Sequence, residues 1–118
     1  MFDPTLQVQI DGKTINLVRI NQDNFGSEYR FSDAQSSASL KIRHSVDKAD
    51  KDKVILRRHN VVLDYIIFPT ATTLIKKYRS SLTFQEDTFG DPTVGTSVAR
   101  AAMNFATGAI DALVAGVN

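Results

Sequence analysis

Apolar and polar residues alternate with a period of two along most of the chain. Leu6, Val8 and Ile10 alternate with polar neighbours, Asp11-Gly12 supplies turn residues, and Thr14 to Ile20 resumes the strand pattern. This predicts a β-hairpin, because two-residue hairpin turns favour Asp-Gly. Asn21 to Ser27 carries Asn, Asp and Gly and predicts a loop, followed by a short strand around Tyr29 and Phe31 and a polar connection over Asp33 to Ser37. From Ser39 the alternation is clean, with Leu40, Ile42, His44 and Val46 on one side and Ser39, Lys41, Arg43 and Ser45 on the other. Asp47 to Lys53 has no apolar period and predicts an exposed turn. Val54 to Phe68 is strand-like, but neither register is purely apolar. One holds Ile55, Arg57, His59, Val61, Leu63, Tyr65 and Ile67; the other holds Val54, Leu56, Arg58, Asn60, Val62, Asp64 and Ile66. A bulge or a change of burial along the strand would reconcile them. After a turn at Pro69-Thr70-Ala71, Thr73 to Phe84 predicts a further strand, with Leu74, Tyr78, Leu82 and Phe84 in one register and Ile75, Lys77, Arg79, Ser81 and Thr83 in the other.

Beyond Gly90 the period becomes helical. Asp91-Pro92 suits an N-cap followed by proline at the first helical position, with Thr96 or Ser97 as rival caps. Ser97, Arg100, Asn104, Thr107 and Asp111 form a narrow polar stripe, while Val98, Ala102, Phe105, Ile110 and Leu113 help fill the apolar remainder. Gly108 marks where one helix could become two, and Gly116 suits a C-terminal cap. The expected class is α+β in a single domain, 1–118, with an N-terminal hairpin and loop (1–24), a main antiparallel sheet (27–86) and a C-terminal α-helical segment (92–116). One helix is ~10 Å across and five strands span ~20 Å, so a single helical segment leaves about half of one sheet face bare. A helix that is itself apolar on several sides then predicts a two-fold homodimer, each helix lying on the partner's sheet as well as its own.

Charge sharpens this picture. The net charge is only +1, yet ten of the fourteen Lys/Arg lie between Lys41 and Arg79 against four acids, so the middle is +6 and the remainder −5. Such segregation on alternating strands points to a polyanion-binding surface. Cysteine is absent, which excludes disulfides, thiolate metal sites and a cysteine nucleophile. The aspartates of the 47–53 turn lack the Gly and closing Glu of an EF-hand, so no metal is expected. No apolar run approaches the ~20 residues of a membrane helix. Met1-Phe2-Asp3-Pro4 lacks a basic start and an apolar core, so no signal peptide and a cytosolic origin are expected.

The order of elements resembles the coat proteins of single-stranded RNA bacteriophages of the levivirus type. The wording is similar in Ser39-Leu40-Lys41-Ile42-Arg43-His44-Ser45-Val46, in the charged turn to Lys53, in Ser80-Ser81-Leu82-Thr83-Phe84 and in Val98-Ala99-Arg100-Ala101-Ala102-Met103. The resemblance implies an interlocked homodimer with a continuous sheet lining an icosahedral shell. It implies virion localisation after assembly in the bacterial cytoplasm, and genomic RNA bound as a stem-loop, with translational repression. Carried over by position, it implies RNA contacts at Lys41, Arg43 and Ser45 and at Lys77, Arg79 and Ser81. On the middle strand the contacts would come from Ile55, Arg57 and His59, or from Arg58 and Asn60 in the shifted register; Arg57 and His59 are preferred. The loop at the shell's symmetry axes would be Phe68 to Thr73.

A non-assembling dimeric nucleic-acid-binding regulator is the alternative. An enzyme is not expected, since there is no Gly-rich phosphate loop, no G-x-S-x-G and no His-x-x-x-His. No cofactor or small-molecule substrate is expected. His44, in an apolar register, reads as a satisfied core histidine, and His59 as a surface or RNA-facing one.

Overall fold

The structure, a computed structural model, describes residues 2–116. Its elements are β1 (Thr5–Ile10), β2 (Lys13–Asp23), β3 (Gly26–Ser32), β4 (Ser36–Val46), β5 (Leu56–Ile67), β6 (Lys76–Asp87), α1 (Pro92–Gly108) and α2 (Ile110–Val114). The six strands form one sheet in sequence order. The chain divides into two compact units, Met1–Ser45 with Arg58–Thr83 and Val46–Arg57 with Phe84–Asn118.

In the first unit, Asp11 and Gly12 both take positive φ, 52° and 76°, as a twist-matched hairpin turn demands. β2 then runs further than its composition predicts. Asn21, Gln22 and Asp23, expected in a loop, pair with Glu28, Ser27 and Gly26 after a register shift between Arg19 and Asn21. The bulge lets polar residues continue the ladder, and the turn closes where Asp23 accepts the Phe25 N–H at 2.8 Å. Gly26 has no substitute, because a Cβ there would lie 2.0 Å from the Ile42 carbonyl oxygen.

Ile15, Leu17, Tyr29, Ala38 and Ile42 are buried, with Leu6, Val8, Ile10, Phe31, Leu40, Val61 and Tyr65 packed around them. All are alternate residues of β1 to β5, so the sheet curls and its hairpin covers part of its own apolar face. Each fully buried aliphatic side chain contributes ~1.5–3 kcal/mol. Polar clamps fix the curl: the Tyr29 hydroxyl donates to the Asp3 carbonyl at 2.8 Å, and Lys13 Nζ meets Asp33 Oδ2 at 2.7 Å. Asp33 also accepts the N–H groups of Gln35 and Ser36, each at 2.8 Å. The Lys13 hydrogen bond and those two N–H groups hold its carboxyl well below the ordinary carboxylate range.

The second unit holds the β4–β5 turn, the end of β6 and the helices. Asp50 Oδ1 accepts the Asp52 and Val54 N–H groups, with Lys53 at φ 62°. β6 spans Lys76–Asp87 rather than the expected Thr73–Phe84. At its start, Thr70 and Thr73 satisfy one another in a closed turn. At its end, the Thr88 N–H reaches the Ile55 carbonyl and prolongs the ladder. Asp91 caps α1 by accepting the Thr93 N–H at 2.9 Å, with Pro92 first in the helix. The helical segment breaks into two at Ala109, just after Gly108.

Neither helix buries a residue. Val98, Phe105, Ile110 and Leu113 are exposed, as is Ala102, and the least exposed positions are the small Gly95, Ala99, Ala106 and Ala109. β6 ends the sheet, and among the described residues no strand pairs with its outer edge.

Candidate functional site

Strand register decides which side chains share a face. β3 and β4 pair with Gly26 opposite Arg43, Glu28 opposite Lys41 and Arg30 opposite Ser39. Between β4 and β5, the Phe68 N–H donates to the Gln35 carbonyl and the Asp47 N–H to the Leu56 carbonyl. In that antiparallel register His44 faces His59, Arg43 stands opposite Asn60, and Ser45 opposite Arg58. Between β5 and β6, Arg79 binds Asp64 and Thr83 lies 3.5 Å from Asn60, which sets Lys77 opposite Ile66 and Ser81 opposite Val62.

One face of the first unit therefore carries Lys41, Arg43, Ser45, Lys77, Arg79 and Ser81, together with Asn60 and Thr83. The six predicted residues of the outer two strands are brought together, about two strand spacings or ~10 Å apart. The middle strand requires a correction. Arg57 and His59 alternate with Arg58 and Asn60, and lie in the apolar register with Val61 and Tyr65. His59 Nδ1 is 2.8 Å from His44 Nδ1, the rings meeting edge-on, and Arg57 Nε is 3.6 Å from Glu86 Oε1. The residues beside Arg43 and Ser45 are Asn60 and Arg58, the alternative register. Composition misleads here because β5 carries polar residues in both registers, and only the neighbouring strands show which is which. His44 is exposed rather than enclosed in the core, although it does share the apolar register.

The face is not simply basic. Arg79 Nε and Nη2 reach the two oxygens of Asp64 at 2.5 and 3.3 Å, Arg43 Nη1 reaches Asp23 at 3.1 Å, and Arg30 Nη2 reaches Glu28 at 3.4 Å. The hydrogen bond and charge of Asp64 raise the Arg79 pKa further. The Asp23 carboxyl is lowered, first by the Phe25 N–H and then by Arg43. Lys41 and Lys77 make no ion pair among the described residues. Lys41 and Lys77 thus keep their ammonium groups out of ion pairs, whereas three arginines are held by carboxylates. Asp23 and Asp64 are the site residues that the sequence reading missed. Their signal was register: Asp64 alternates with Arg58, Asn60 and Val62.

Among the described residues no group of three or more His, Asp or Glu gathers as a metal site. Hydroxyls and cations on a flat sheet, without a nucleophile–base pair, suit phosphate and sugar contacts rather than bond-making. The predicted helix residues Val98, Ala102, Phe105, Ile110 and Leu113 belong to the other unit and lie open to solvent. Comparison with known proteins gives one family, described as "Phage phiCb5, coat protein", whose model matches residues 3–87. No curated protein matches the chain.

Proposed function

The chain belongs to the phage phiCb5 coat protein family, structural proteins of a levivirus-type RNA phage virion that assemble with further copies into a capsid and are not enzymes; from that premise we propose that its polar sheet face binds genomic RNA inside the shell. The observation that carries this reading is the shared face of Lys41, Arg43, Ser45, Lys77, Arg79 and Ser81, opposite an apolar face, with Asn60 and Arg58 in register between them. A cation-bearing β-surface of this width fits a stem-loop, phosphates on the lysines and unpaired bases near the hydroxyls.

The building block of the shell is an interlocked dimer of the whole chain, 1–118. Two features support it: helices that bury nothing in their own chain, and the long outer edge of β6, ready to pair with a second β6 in a continuous sheet. A dimer holding the stem-loop at a start site would also repress translation. The test is expression with its RNA, electron microscopy, and hairpin binding by dissociated dimers. Particles with tight hairpin binding support the whole reading, and particles whose dimers bind no hairpin remove the repressor role. Folded dimers that bind hairpins but never form shells would favour the non-assembling regulator.

A further inference from the structure

Neither assembly nor RNA binding calls on the contact between His44 and His59. Their Nδ1 atoms lie 2.8 Å apart, with the ring planes at 70°. Both residues belong to the first unit, His44 exposed and His59 half-buried. The backbone bonds from Asp47 to Leu56 and from Phe68 to Gln35 put the hydrogen-bonded pairs of this ladder on alternate residues. His44 and His59 therefore form a non-hydrogen-bonded pair, where opposed Cα atoms are ~4.5 Å apart and side chains come closest. On its other side the His44 N–H donates to the Phe25 carbonyl at 2.7 Å, so β4 is held along both edges here.

Two like nitrogens facing each other share a single proton: one ring donates its Nδ1–H and the other accepts with a lone pair. A metal ion that accepts two lone pairs can replace that proton. At the observed separation of 2.8 Å, bonds of ~2.0 Å from both nitrogens subtend ~90° at the metal, whereas a tetrahedral site needs nitrogens ~3.3 Å apart. Right angles between neighbouring ligands belong to copper(II) and nickel(II), and the tetrahedron to zinc. Imidazole suits all three, so the spacing discriminates where the ligand type does not. Charged groups of both signs stand nearby. Arg19 and Asp23 line the recess that His44 borders, and Arg57, two residues before His59 in the same register, faces Glu86 at 3.6 Å.

We propose that His44 and His59 form a chelate site for a divalent copper or nickel ion, bound through both Nδ1 atoms. The site stands independently of the RNA reading. The two rings occupy adjacent positions on the metal and water fills the others, so no third protein ligand is required. On binding, the ring that carried the shared proton gives it up to water and takes one at Nε2, so both rings ligate as neutral imidazoles and acid releases the metal. The ion ties β4 to β5 and stabilises the folded chain, since the unfolded chain does not hold the nitrogens together.

The experiment is calorimetric titration of the purified, RNA-free coat protein with copper(II), nickel(II) and zinc(II) chlorides, with electron paramagnetic resonance of the copper form. One copper per chain should bind with a tetragonal spectrum showing two imidazole nitrogens, and nickel should bind tighter than zinc. His44→Gln and His59→Gln should each weaken copper binding about a hundredfold, and the double variant should be no weaker than either, because one imidazole alone is not a chelate. Should a variant not fold, the parent alone decides: its melting temperature should rise with copper concentration and not with magnesium. Equal copper affinity in the parent and a folded single variant overturns the site. A spectrum with fewer than two imidazole nitrogens, or a melting temperature that copper does not raise, does the same. Zinc bound more tightly than nickel overturns the assignment to right-angled metals.

Discussion

Phe105→Ala separates a helix that belongs to its own chain from one that belongs to a partner. Phe105 is 68% exposed in the single chain. A phenylalanine presents ~200 Å², so seating it on a partner removes ~140 Å² from water, worth ~3.5 kcal/mol at ~25 cal/mol per Å². A two-fold interface counts each residue twice, giving ~7 kcal/mol per dimer and ~10⁵ in the dissociation constant. The isolated chain should lose nothing, since alanine is the better helix former by ~0.5 kcal/mol. Sedimentation equilibrium at several concentrations should therefore show a weaker dimer, with a melting temperature that falls on dilution. Asn104→Ala, on the polar stripe of the same helix, serves as the control and should dimerise like the parent. A Phe105→Ala protein that stays dimeric at nanomolar concentration, or one that loses stability equally at all concentrations, would refute the reasoning.

Lys41→Ala and Lys77→Ala should each lower the slope of log affinity for an RNA hairpin against log salt by ~0.7–0.9. Arg43→Ala should lower it less, because Asp23 already offsets that charge; filter binding over a range of salt reads the difference. Gly26→Ala should destabilise the protein by ~1–3 kcal/mol in urea titration, since the new methyl meets the Ile42 carbonyl and the sheet must shift. Asp33 has a depressed carboxyl pKa, so its clamp should act fully above the unfolded value of ~3.9 and weaken as pH falls below it. Lys13, whose pKa is raised, should lose its share as pH climbs past the ordinary lysine range. Thermal melts of parent and Asp33→Asn between pH 7 and pH 3 check this: the gap should be full at pH 7 and begin to narrow only below about pH 4, without closing at pH 3, because the folded carboxyl stays ionised there.

Alternation alone was enough to read the two faces of β4, because Leu40, Ile42, Ser39, Lys41 and Arg43 separate without ambiguity and a strand has only two sides. Asp11-Gly12 and Asp91-Pro92 were legible for a similar reason: local chemistry decides a turn or a cap with little help from distant residues. β5 was not legible. Arg57 and Arg58, or His59 and Asn60, are equivalent by composition, and the choice between them is made by backbone pairing of Phe68 with Gln35 and of Leu56 with Asp47, and by Asp64 meeting Arg79. The bulge that carries β2 through Asn21 to Asp23 was hidden too, since polar residues at a hairpin end look the same paired or looped.

The helices and the sheet pose one problem from two sides. An apolar helix with no buried residue is unstable as an end in itself, because exposing Val98, Phe105, Ile110 and Leu113 forgoes the burial that most helical stability comes from. The outer edge of β6, bearing exposed Tyr78 and Leu82, leaves backbone donors and acceptors without strand partners. The proposed two-fold dimer would answer both needs at once, pairing edge with edge and giving each helix a surface to lie on. In the proposed dimer, edge pairing uses backbone groups of β6, which leaves the lysines and carboxylate-held arginines of the polar face available for the proposed RNA contacts. The alternation of strand side chains thus makes assembly compatible with the proposed nucleic-acid binding on one sheet.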